Sequence, residues 1–267
     1  MIQHPLKIGY VLSGGGARGF AHLGVLQFLE ELNIRPYAIS GTSSGAIVGA
    51  LYAAGKTPRE ILCLMKKKKL FGLSSLRWKR HSFFSMHILR KLLTNVIERD
   101  NFDSLVIKLF VTATDINEGK AVTFSKGDLF EPVIASASIP VLFEPVIIGN
   151  RTLIDGGIMN NFPVEPLEGI CDLIIGSHVN KIESDKGNKL HLSKLKLLER
   201  SFYLSIANAV YEKKDKCQVF IESPLGNFDM YDVKKAAMIF NIGYKAAAES
   251  KEKILALFTD RKNSILA

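Results

Sequence analysis

The first 54 residues contain two glycine-rich turns, and each turn lies between a strand-like and a helix-like segment. Residues 7–12 form a short apolar run that predicts a strand, and residues 20–32 carry apolar side chains at helical spacing. A second predicted strand, residues 36–40, leads through the second turn to a helix of small residues over 46–54. This order predicts a β-α-β unit, and therefore a parallel sheet with a right-handed crossover. Both turns are then expected at the carboxyl ends of neighbouring strands, the usual place for a site in such sheets.

The second turn reads Gly-Thr-Ser-Ser-Gly over residues 41–45 and matches the pattern G-x-S-x-G. A sharp strand-to-helix turn exposes the hydroxyl of its central serine, here Ser43, while Gly41 and Gly45 leave room for the turn and for close helix packing. The positive N-terminal end of the following helix favours alkoxide character at that hydroxyl. Because Thr and Ser are also preferred helix N-caps, these five residues alone fit either a nucleophile or a cap.

The first turn reads Gly-Gly-Gly-Ala-Arg-Gly over residues 14–19, which also satisfies the dinucleotide-binding pattern G-x-G-x-x-G. That function needs an acidic residue at the end of the second strand, where this chain has the serine turn instead. A P-loop is excluded because no Gly-Lys-Ser/Thr follows the glycines. The remaining interpretation is a set of unhindered backbone amides that hold an anion, and beside an activated serine that anion would be a tetrahedral oxyanion. Arg18 is expected to fix the loop or add positive field rather than to contact substrate.

A serine nucleophile needs a base, which is usually a histidine held by an acid. His22 follows the first turn, but its helical position favours packing or capping. His178 ends a predicted strand and fits the Ser, Asp, His order of α/β-hydrolases. That fold places several strands before its nucleophile, whereas 42 residues precede Ser43 here. The sequence therefore argues against a conventional triad.

Asp155 is the better candidate for the base. It ends a predicted hairpin strand, and Gly156 and Gly157 after it let backbone and substrate come close. A carboxylate is ionised at neutral pH, but its low basicity is a difficulty because the best general base has a pKa near the working pH. Partial burial beside Ser43 is expected to raise that pKa. Without the other motifs, Asp-Gly-Gly would be read as a surface turn.

The composition of the chain limits the structural classes to which it can belong. The 267 residues suit one large domain or two small ones, and 47% hydrophobic with 23% charged residues is typical of globular chains. No apolar run reaches the roughly 18 residues of a spanning helix, and the first residues show no signal-peptide pattern, so a cytoplasmic location is expected. Cys63, Cys171 and Cys217 are odd in number and far apart, which argues against disulfides and zinc and favours buried small hydrophobes. No metal or other cofactor is predicted.

One segment carries the net charge of +9, because no acidic residue lies between Glu60 and Glu98 while nine basic residues do. Its cations are interleaved with aromatic residues, a combination that suits anionic headgroups with rings at the acyl boundary. The residues predicted to bind a membrane are Lys66, Lys67, Lys68, Lys69, Trp78 and Arg80. A solvated lysine face and nucleic-acid binding are the two alternatives for such a patch, and nucleic acid is the least favoured.

The rest of the chain alternates strand and helix signals around this basic, helical insertion at residues 56–104. Strands are predicted at 106–113 and 121–125, as a hairpin at 146–148 and 151–154, at 173–179, and at the sheet edge at 218–222. Helices are predicted at 128–138, 192–211 and 231–258, and the polar stretch 180–189 is predicted to be a surface loop.

Taken together, these segments resemble the patatin-like phospholipase family. The family's oxyanion signature G-G-G-x-[RK]-G is matched in order by Gly14, Gly15, Gly16, Ala17, Arg18 and Gly19. Its G-x-S-x-G pattern is matched around Ser43, and its D-G-[GA] pattern begins at Asp155. Residues 135–140 are similar to the family's small-residue helix and proline turn, and residues 228–248 to the closing helix of its bacterial members.

The resemblance implies an α/β fold in a single domain, with a mostly parallel central sheet flanked by helices on both faces. It implies a Ser43–Asp155 dyad without histidine, calcium-independent hydrolysis of acyl esters, and phospholipid or lysophospholipid substrates. The amides of Gly15, Gly16 and Ala17, with Gly14 in the same loop, would hold the oxyanion. A lipid- or partner-binding module that keeps the fold without catalysis is the alternative. A peripheral position at the inner face of a membrane follows from the basic segment, and no oligomeric state is implied.

Overall fold

The computed structural model describes residues 6–66, 86–182 and 194–266. Its strands are β1 (Ile8–Leu12), β2 (Ala38–Thr42), β3 (Lys108–Asp115), β4 (Lys120–Phe124), β5 (Val146–Ile148), β6 (Arg151–Asp155), β7 (Leu173–His178) and β8 (Val219–Glu222). The α-helices are α1 (Phe20–Glu31), α2 (Ser44–Ala53), α3 (Pro58–Lys66), α4 (Met86–Val96), α5 (Phe130–Ser136), α6 (Gly157–Asn160), α7 (Lys194–Tyr211), α8 (Ala236–Glu249) and α9 (Lys251–Leu266).

These strands form one eight-stranded sheet with a parallel core in the order β3-β2-β1-β7-β8. Strands β4 and β6 both pair antiparallel with β3, and β5 pairs with β6 in a hairpin. The hairpin turn has Gly149 at φ 62°, the left-handed conformation that glycine accepts readily in a two-residue turn. The α/β fold with a mostly parallel sheet is thus confirmed.

Strands β2 and β6 lie end to end along the same edge of β3. Thr112 pairs with both Thr42 of β2 and Thr123 of β4, and the next residue, Ala113, pairs with both Val122 of β4 and Asp155 of β6. Because β4 occupies one edge of β3 at both positions, β2 and β6 must share the other. Strand β2 runs parallel to β3 and β6 runs antiparallel, so their last residues meet.

Side-chain alternation divides the core between the two faces of the sheet. Tyr10 and Leu12 of β1 belong to the larger cluster, with buried residues of α1, α2, α3, α4 and α8. Val11 faces the other side and packs with Phe162, Val164 and Val210, the last from α7. Burial of complementary faces in this way is the main driving force for the layered arrangement.

The predicted elements largely occur where the sequence placed them, with boundaries that differ by a few residues. The tail predicted as one helix over 231–258 is two helices, because the chain leaves α-helical geometry at Ser250. Helix α6 was not predicted, since it has four residues and begins at the second of two consecutive glycines.

The predicted basic insertion contains α3 and α4, whose Ile61, Met65, Leu89 and Leu93 are buried in the larger cluster. The prediction that all three cysteines are buried is confirmed for Cys217 and wrong for Cys63, which is exposed on α3, while Cys171 is only partly buried. Cys63 lies outside the apolar face of α3, which packs against the core.

Candidate active site

Ser43 is the residue between β2 and α2, and its backbone has φ 52° and ψ −121°. A positive φ is uncommon for a non-glycine residue and stores strain of about 1–3 kcal/mol, as is typical of functional turns. The turn is held from both sides, because the Ser43 amide donates to Ser136 Oγ at 2.8 Å and Thr42 Oγ1 donates to the carbonyl of Asn160 at 2.8 Å. Ser136 in turn donates to the carbonyl of Thr112 at 2.6 Å.

The flanking glycines of the serine turn are required by close backbone approach. A Cβ on Gly45 would lie 2.2 Å from the carbonyl oxygen of Leu12, and a Cβ on Gly41 would lie 2.7 Å from the carbonyl carbon of Gly45. Both approaches involve backbone atoms that cannot rotate away. Helix α2 can therefore begin directly after Ser43, against the end of β1.

Asp155 is 3% exposed and lines one cavity with Ser43. Burial raises the pKa of Asp155 from 3.8 to about 6, although the nearby Ser43 hydroxyl and the Gly157 amide act in the opposite direction. The Gly157 amide donates to Asp155 Oδ1 at 2.7 Å. Gly156 lies against β3, where a Cβ would come within 2.1 Å of the carbonyl oxygen of Thr112. The structure therefore brings Ser43 and Asp155 together, with the pKa of the carboxyl group near neutrality.

The glycine loop at residues 14–19 lies beside Ser43. A Cβ on Gly14 would lie 3.2 Å from Ser43 Cβ, and one on Gly19 would lie 2.6 Å from the Ser44 side chain. Gly16 has φ 57°, a conformation that a residue with a side chain rarely adopts.

Two of the four amides predicted to hold an oxyanion are already hydrogen-bonded within the protein. The Gly14 amide donates to the carbonyl of Asn161 at 3.2 Å, and the Ala17 amide donates to the carbonyl of Met230 at 2.8 Å. Among the described residues, no partner accepts from the amides of Gly15 and Gly16. The contacts with Asn161 and Met230 join residues far apart in the sequence and cannot be predicted from a local motif. The motif therefore predicted the same role, as an oxyanion donor, for all four amides.

Arg18 is buried and connects the glycine loop to later parts of the chain. Its Nε donates to the carbonyl of Phe228 at 2.8 Å, and its Nη1 donates to Asn180 Oδ1 at 3.4 Å. Asn180 also donates to the carbonyl of Gly14 at 2.6 Å. The prediction of a surface loop is therefore wrong at Asn180, which is 2% exposed and tied to the glycine loop. Its position directly after a buried strand end is the sequence signal that could have indicated this.

Neither histidine considered as a base faces the dyad. His22 lies 2.8 Å from both Ser177 Oγ and the carbonyl oxygen of Ser13, and burial lowers its pKa to about 4. His178 is buried with Nδ1 3.2 Å from Glu222 and packs against the ring of Tyr211. His22 on α1 therefore has the packing role that its helical position indicated, and His178 on β7 pairs with a residue of the neighbouring strand β8.

An apolar cleft opens over Ser43, with a volume of about 740 Å³ including the part open to solvent. Its walls come from the glycine loop, α2, the end of α3, the segment after α5 and the segment before α8. Apolar residues that line it are Phe20, Ile47, Val48, Met65, Ile139, Leu142, Phe143, Met230 and Val233. The cleft can hold a hydrocarbon chain with one end at Ser43.

A smaller inner cavity lies on the Asp155 side of Ser43. It is lined by Gly15, Gly16, Ser43, Ile139, Asp155, Asn161, Ile206 and Met230. Ser43, Asp155 and the two glycines whose amides have no partner thus line one space, as a nucleophile, its base and oxyanion donors would have to do.

The predicted membrane-binding residues are largely untested by the structure. Lys66 is exposed at the end of α3, close to Met65 in the cleft wall, while Lys67, Lys68, Lys69, Trp78 and Arg80 lie outside the described residues. None of the helices in the described ranges is long and apolar enough to cross a membrane. In the same part of the chain, no cluster of three or more His, Cys, Asp or Glu is arranged to hold a metal ion.

Comparison with known proteins shows that residues 10–168 match the family model described as patatin-like phospholipase. The chain belongs to the patatin-like phospholipase family. The match covers more than half of the chain and includes the glycine loop, Ser43 and Asp155. It confirms the family that the motifs indicated.

Curated relatives of the family share a part of their length with this chain. An uncharacterized NTE family protein of Mycobacterium tuberculosis is 34% identical over 184 residues, which cover 67% of this chain and 50% of the relative. Lysophospholipase NTE1 of Cryptococcus neoformans is 28% identical over 281 residues, which cover 92% of this chain and 17% of the relative. The chain therefore spans half or less of the length of these relatives.

Among solved structures, VipD from Legionella pneumophila has a similar fold. The two superpose with a TM-score of 0.53 at 16% identity, over 92% of this chain and 66% of VipD. At this identity the likeness concerns the fold, and it agrees with the α/β architecture described above.

Proposed function

We propose that this chain is a serine acyl hydrolase that cleaves fatty acyl esters of phospholipids or lysophospholipids with Ser43 as nucleophile and Asp155 as base. The observation that carries the proposal is that Ser43 and the buried Asp155 line one cavity, where burial raises the pKa of Asp155 to about 6 and the nearby Ser43 hydroxyl acts on the same carboxyl group. A carboxylate of that pKa is a better proton acceptor near neutral pH than an ordinary aspartate.

In the proposed reaction, Ser43 Oγ attacks the ester carbonyl carbon and its proton passes to Asp155. The negative charge that develops on the carbonyl oxygen is stabilised by the amides of Gly15 and Gly16, which have no partner among the described residues. Collapse of the tetrahedral intermediate expels the alcohol, which takes the proton from Asp155, and leaves the acyl group on Ser43. Asp155 then activates a water that releases the fatty acid.

The apolar cleft supports a lipid as the substrate. Its lining is dominated by aliphatic and aromatic side chains, and it reaches Ser43 at one end. Burial of a methylene group contributes about 0.8 kcal/mol, so such a cleft favours long acyl chains over short ones. Relatives named lysophospholipase NTE1 make lysophospholipids one natural member of the test panel.

Replacement of the nucleophile tests the proposal. We expect Ser43→Ala to reduce hydrolysis of a soluble ester such as p-nitrophenyl butyrate by at least about a thousandfold, because no other group can form the acyl-enzyme. Ser40→Ala is the matched control, since the Ser40 hydroxyl is buried without a partner three residues earlier in the chain. Full turnover by Ser43→Ala would exclude the mechanism.

A covalent probe separates an enzyme from a binding module that keeps the fold. An alkyl fluorophosphonate should label the wild type and the Ser40→Ala variant at Ser43 and should leave Ser43→Ala unlabelled. A chain that binds lipid vesicles but is neither labelled nor hydrolytic would support the non-catalytic alternative. A lipid panel with product analysis would then identify the acyl position cleaved.

A further inference from the structure

Asn161 is a buried polar residue whose side chain has no evident structural task. It follows α6 directly, is 6% exposed, and lines the inner cavity with Ser43 and Asp155. Its Nδ2 is buried without a hydrogen-bond partner. An unpaired buried donor costs about 1–3 kcal/mol, so its retention calls for an acceptor that the protein itself does not provide.

The structural contribution of Asn161 is made by its backbone. Its carbonyl accepts the hydrogen bond from the Gly14 amide at 3.2 Å, and this contact joins the glycine loop to the turn after Asp155. Any side chain at position 161 could provide that carbonyl. The side-chain amide is therefore available for another purpose.

The side-chain oxygen of Asn161 lies next to both Ser43 and Asp155, and Nδ2 is bonded to the same amide carbon. A Cβ on Gly14 would lie 2.4 Å from Asn161 Oδ1 and 3.2 Å from Ser43 Cβ, so one small group would bridge the two side chains. A Cβ on Gly157 would lie 2.9 Å from both Asn161 Oδ1 and Asp155 Oδ1. An ester group bound for attack by Ser43 must occupy this space.

The other buried polar side-chain atoms without partners in the described part of the chain belong to Ser40, Ser44, Thr114, His178 and Ser223. Ser44 lines the apolar cleft, but none of the five lines the inner cavity with Asp155. Asn161 is thus distinguished by an unmet donor on a residue of the cavity that Ser43 and Asp155 share.

We propose that the Asn161 side-chain amide is a third donor to the oxyanion, acting together with the backbone amides of Gly15 and Gly16. This inference rests on the proposed acyl hydrolase function. As the carbonyl oxygen gains negative charge, rotation about the Cβ–Cγ bond of Asn161 brings Nδ2 to the position that Oδ1 occupies in the free protein. Nδ2 then donates to the oxyanion and obtains the partner that it lacks. An amide suits this role because it donates without carrying a charge that would compete with Ser43 for the Asp155 carboxylate.

Replacement of Asn161 should separate catalysis from stability. We expect Asn161→Ala and the similarly branched Asn161→Leu to lower kcat for p-nitrophenyl butyrate about a hundredfold, with little change in KM, because one oxyanion donor is lost. Thermal unfolding temperatures should remain at or above that of the wild type, since no native hydrogen bond of the side chain is removed. The rate of fluorophosphonate labelling of Ser43 should fall with kcat, because that reaction also places negative charge in the oxyanion site.

Asn160→Ala is the matched control at the neighbouring position. The Asn160 side chain donates to Glu165 at 2.9 Å and accepts from Lys213 at 2.7 Å, so this variant should lose stability but keep the wild-type kcat. If Asn161→Leu folds and retains wild-type kcat, the inference is wrong. A parallel loss of stability and activity in both Asn161 variants would also overturn it, in favour of a structural role.

The same assay distinguishes this inference from the function on which it rests. Wild-type turnover that disappears in Ser43→Ala, with Asn161 variants at wild-type rates, would remove the third donor and leave the acyl hydrolase intact. A wild-type chain with neither ester hydrolysis nor fluorophosphonate labelling would overturn both.

Discussion

Asp155 is the residue whose protonation state should control the proposed reaction. Its carboxyl group is almost completely removed from water, and this desolvation outweighs two hydrogen bonds that favour the charged form. The same environment orients it, because the Gly157 amide donates to Asp155 Oδ1 at 2.7 Å. Burial of Asp155 thus raises the basicity of its carboxylate and also fixes the orientation of that group. An exposed aspartate would lack both properties.

The acid limb of the pH profile follows from this shift. Asp155 accepts a proton only when it is ionised, and its pKa is raised to about 6, so kcat/KM should fall as the pH drops through about 6. The measurement is hydrolysis of a soluble ester between pH 4.5 and 8, with circular dichroism at each pH to verify that the chain remains folded. A midpoint near 4 would contradict the proposed role of burial, since that is the range of an ordinary aspartate.

At the scale of elements, the site depends on how closely α2 approaches the ends of the strands. Gly45 and Gly49 lie on the same helix, one turn apart, but they face different surroundings. A Cβ on Gly45 would strike the backbone of β1 at Leu12, whereas a Cβ on Gly49 would lie 3.1 Å from Leu109 Cδ1 and 3.2 Å from Ile39 Cγ2. Side-chain methyl groups can shift where a strand backbone cannot.

This contrast predicts that the same substitution, glycine to alanine, has different effects on stability and activity at positions 45 and 49. Gly45→Ala should destabilise the chain by at least about 2 kcal/mol and reduce esterase activity, because α2 must move away from β1 and displace Ser43. Gly49→Ala should stay close to wild type, since a slight side-chain adjustment is offset by the better helix propensity of alanine, worth about 1 kcal/mol. Thermal unfolding and ester hydrolysis of the two variants test this, and equal effects in both would refute the packing argument.

At the scale of the whole molecule, the uneven distribution of charge along the chain predicts which part of the protein would contact a lipid surface. The net charge of +9 equals the excess contributed by the acid-free segment between Glu60 and Glu98, and that segment includes most of α3, whose Met65 lines the cleft. We infer that this basic aromatic segment contacts an anionic membrane surface. The positive charge would then draw the mouth of the cleft toward the lipid.

Neutralising the lysines at positions 66–69 to glutamine should weaken binding to vesicles that contain anionic phospholipid, by about 1 kcal/mol for each lysine near the surface, and should spare hydrolysis of a soluble ester. Co-sedimentation at several salt concentrations measures this effect. The matched control neutralises four exposed lysines elsewhere, namely Lys120, Lys245, Lys251 and Lys253. If both quadruple variants bind vesicles alike, net charge rather than this segment is responsible.

The sequence by itself determined the β-α-β unit and indicated Ser43 and Asp155 as candidates for nucleophile and base, because each motif depends on residues that are neighbours in the chain. Glycines two residues before and after Ser43 indicate a sharp turn, whatever the position of that turn in the fold. Asp155 followed by two glycines indicates the end of a strand with a sterically unhindered backbone. Local patterns of this kind are set by backbone sterics and side-chain spacing, which do not require knowledge of the fold.

Tertiary structure alone decided how these local pieces combine. Ser43 and Asp155 meet because β2 and β6 end against adjacent residues on the same edge of β3. Long-range pairing likewise occupies the amides of Gly14 and Ala17, buries Asn180 against the glycine loop, and places the unpaired amide of Asn161 in the inner cavity. Each of these contacts joins residues that are distant in sequence. It depends on the strand pairing of the sheet, which local sequence patterns do not specify.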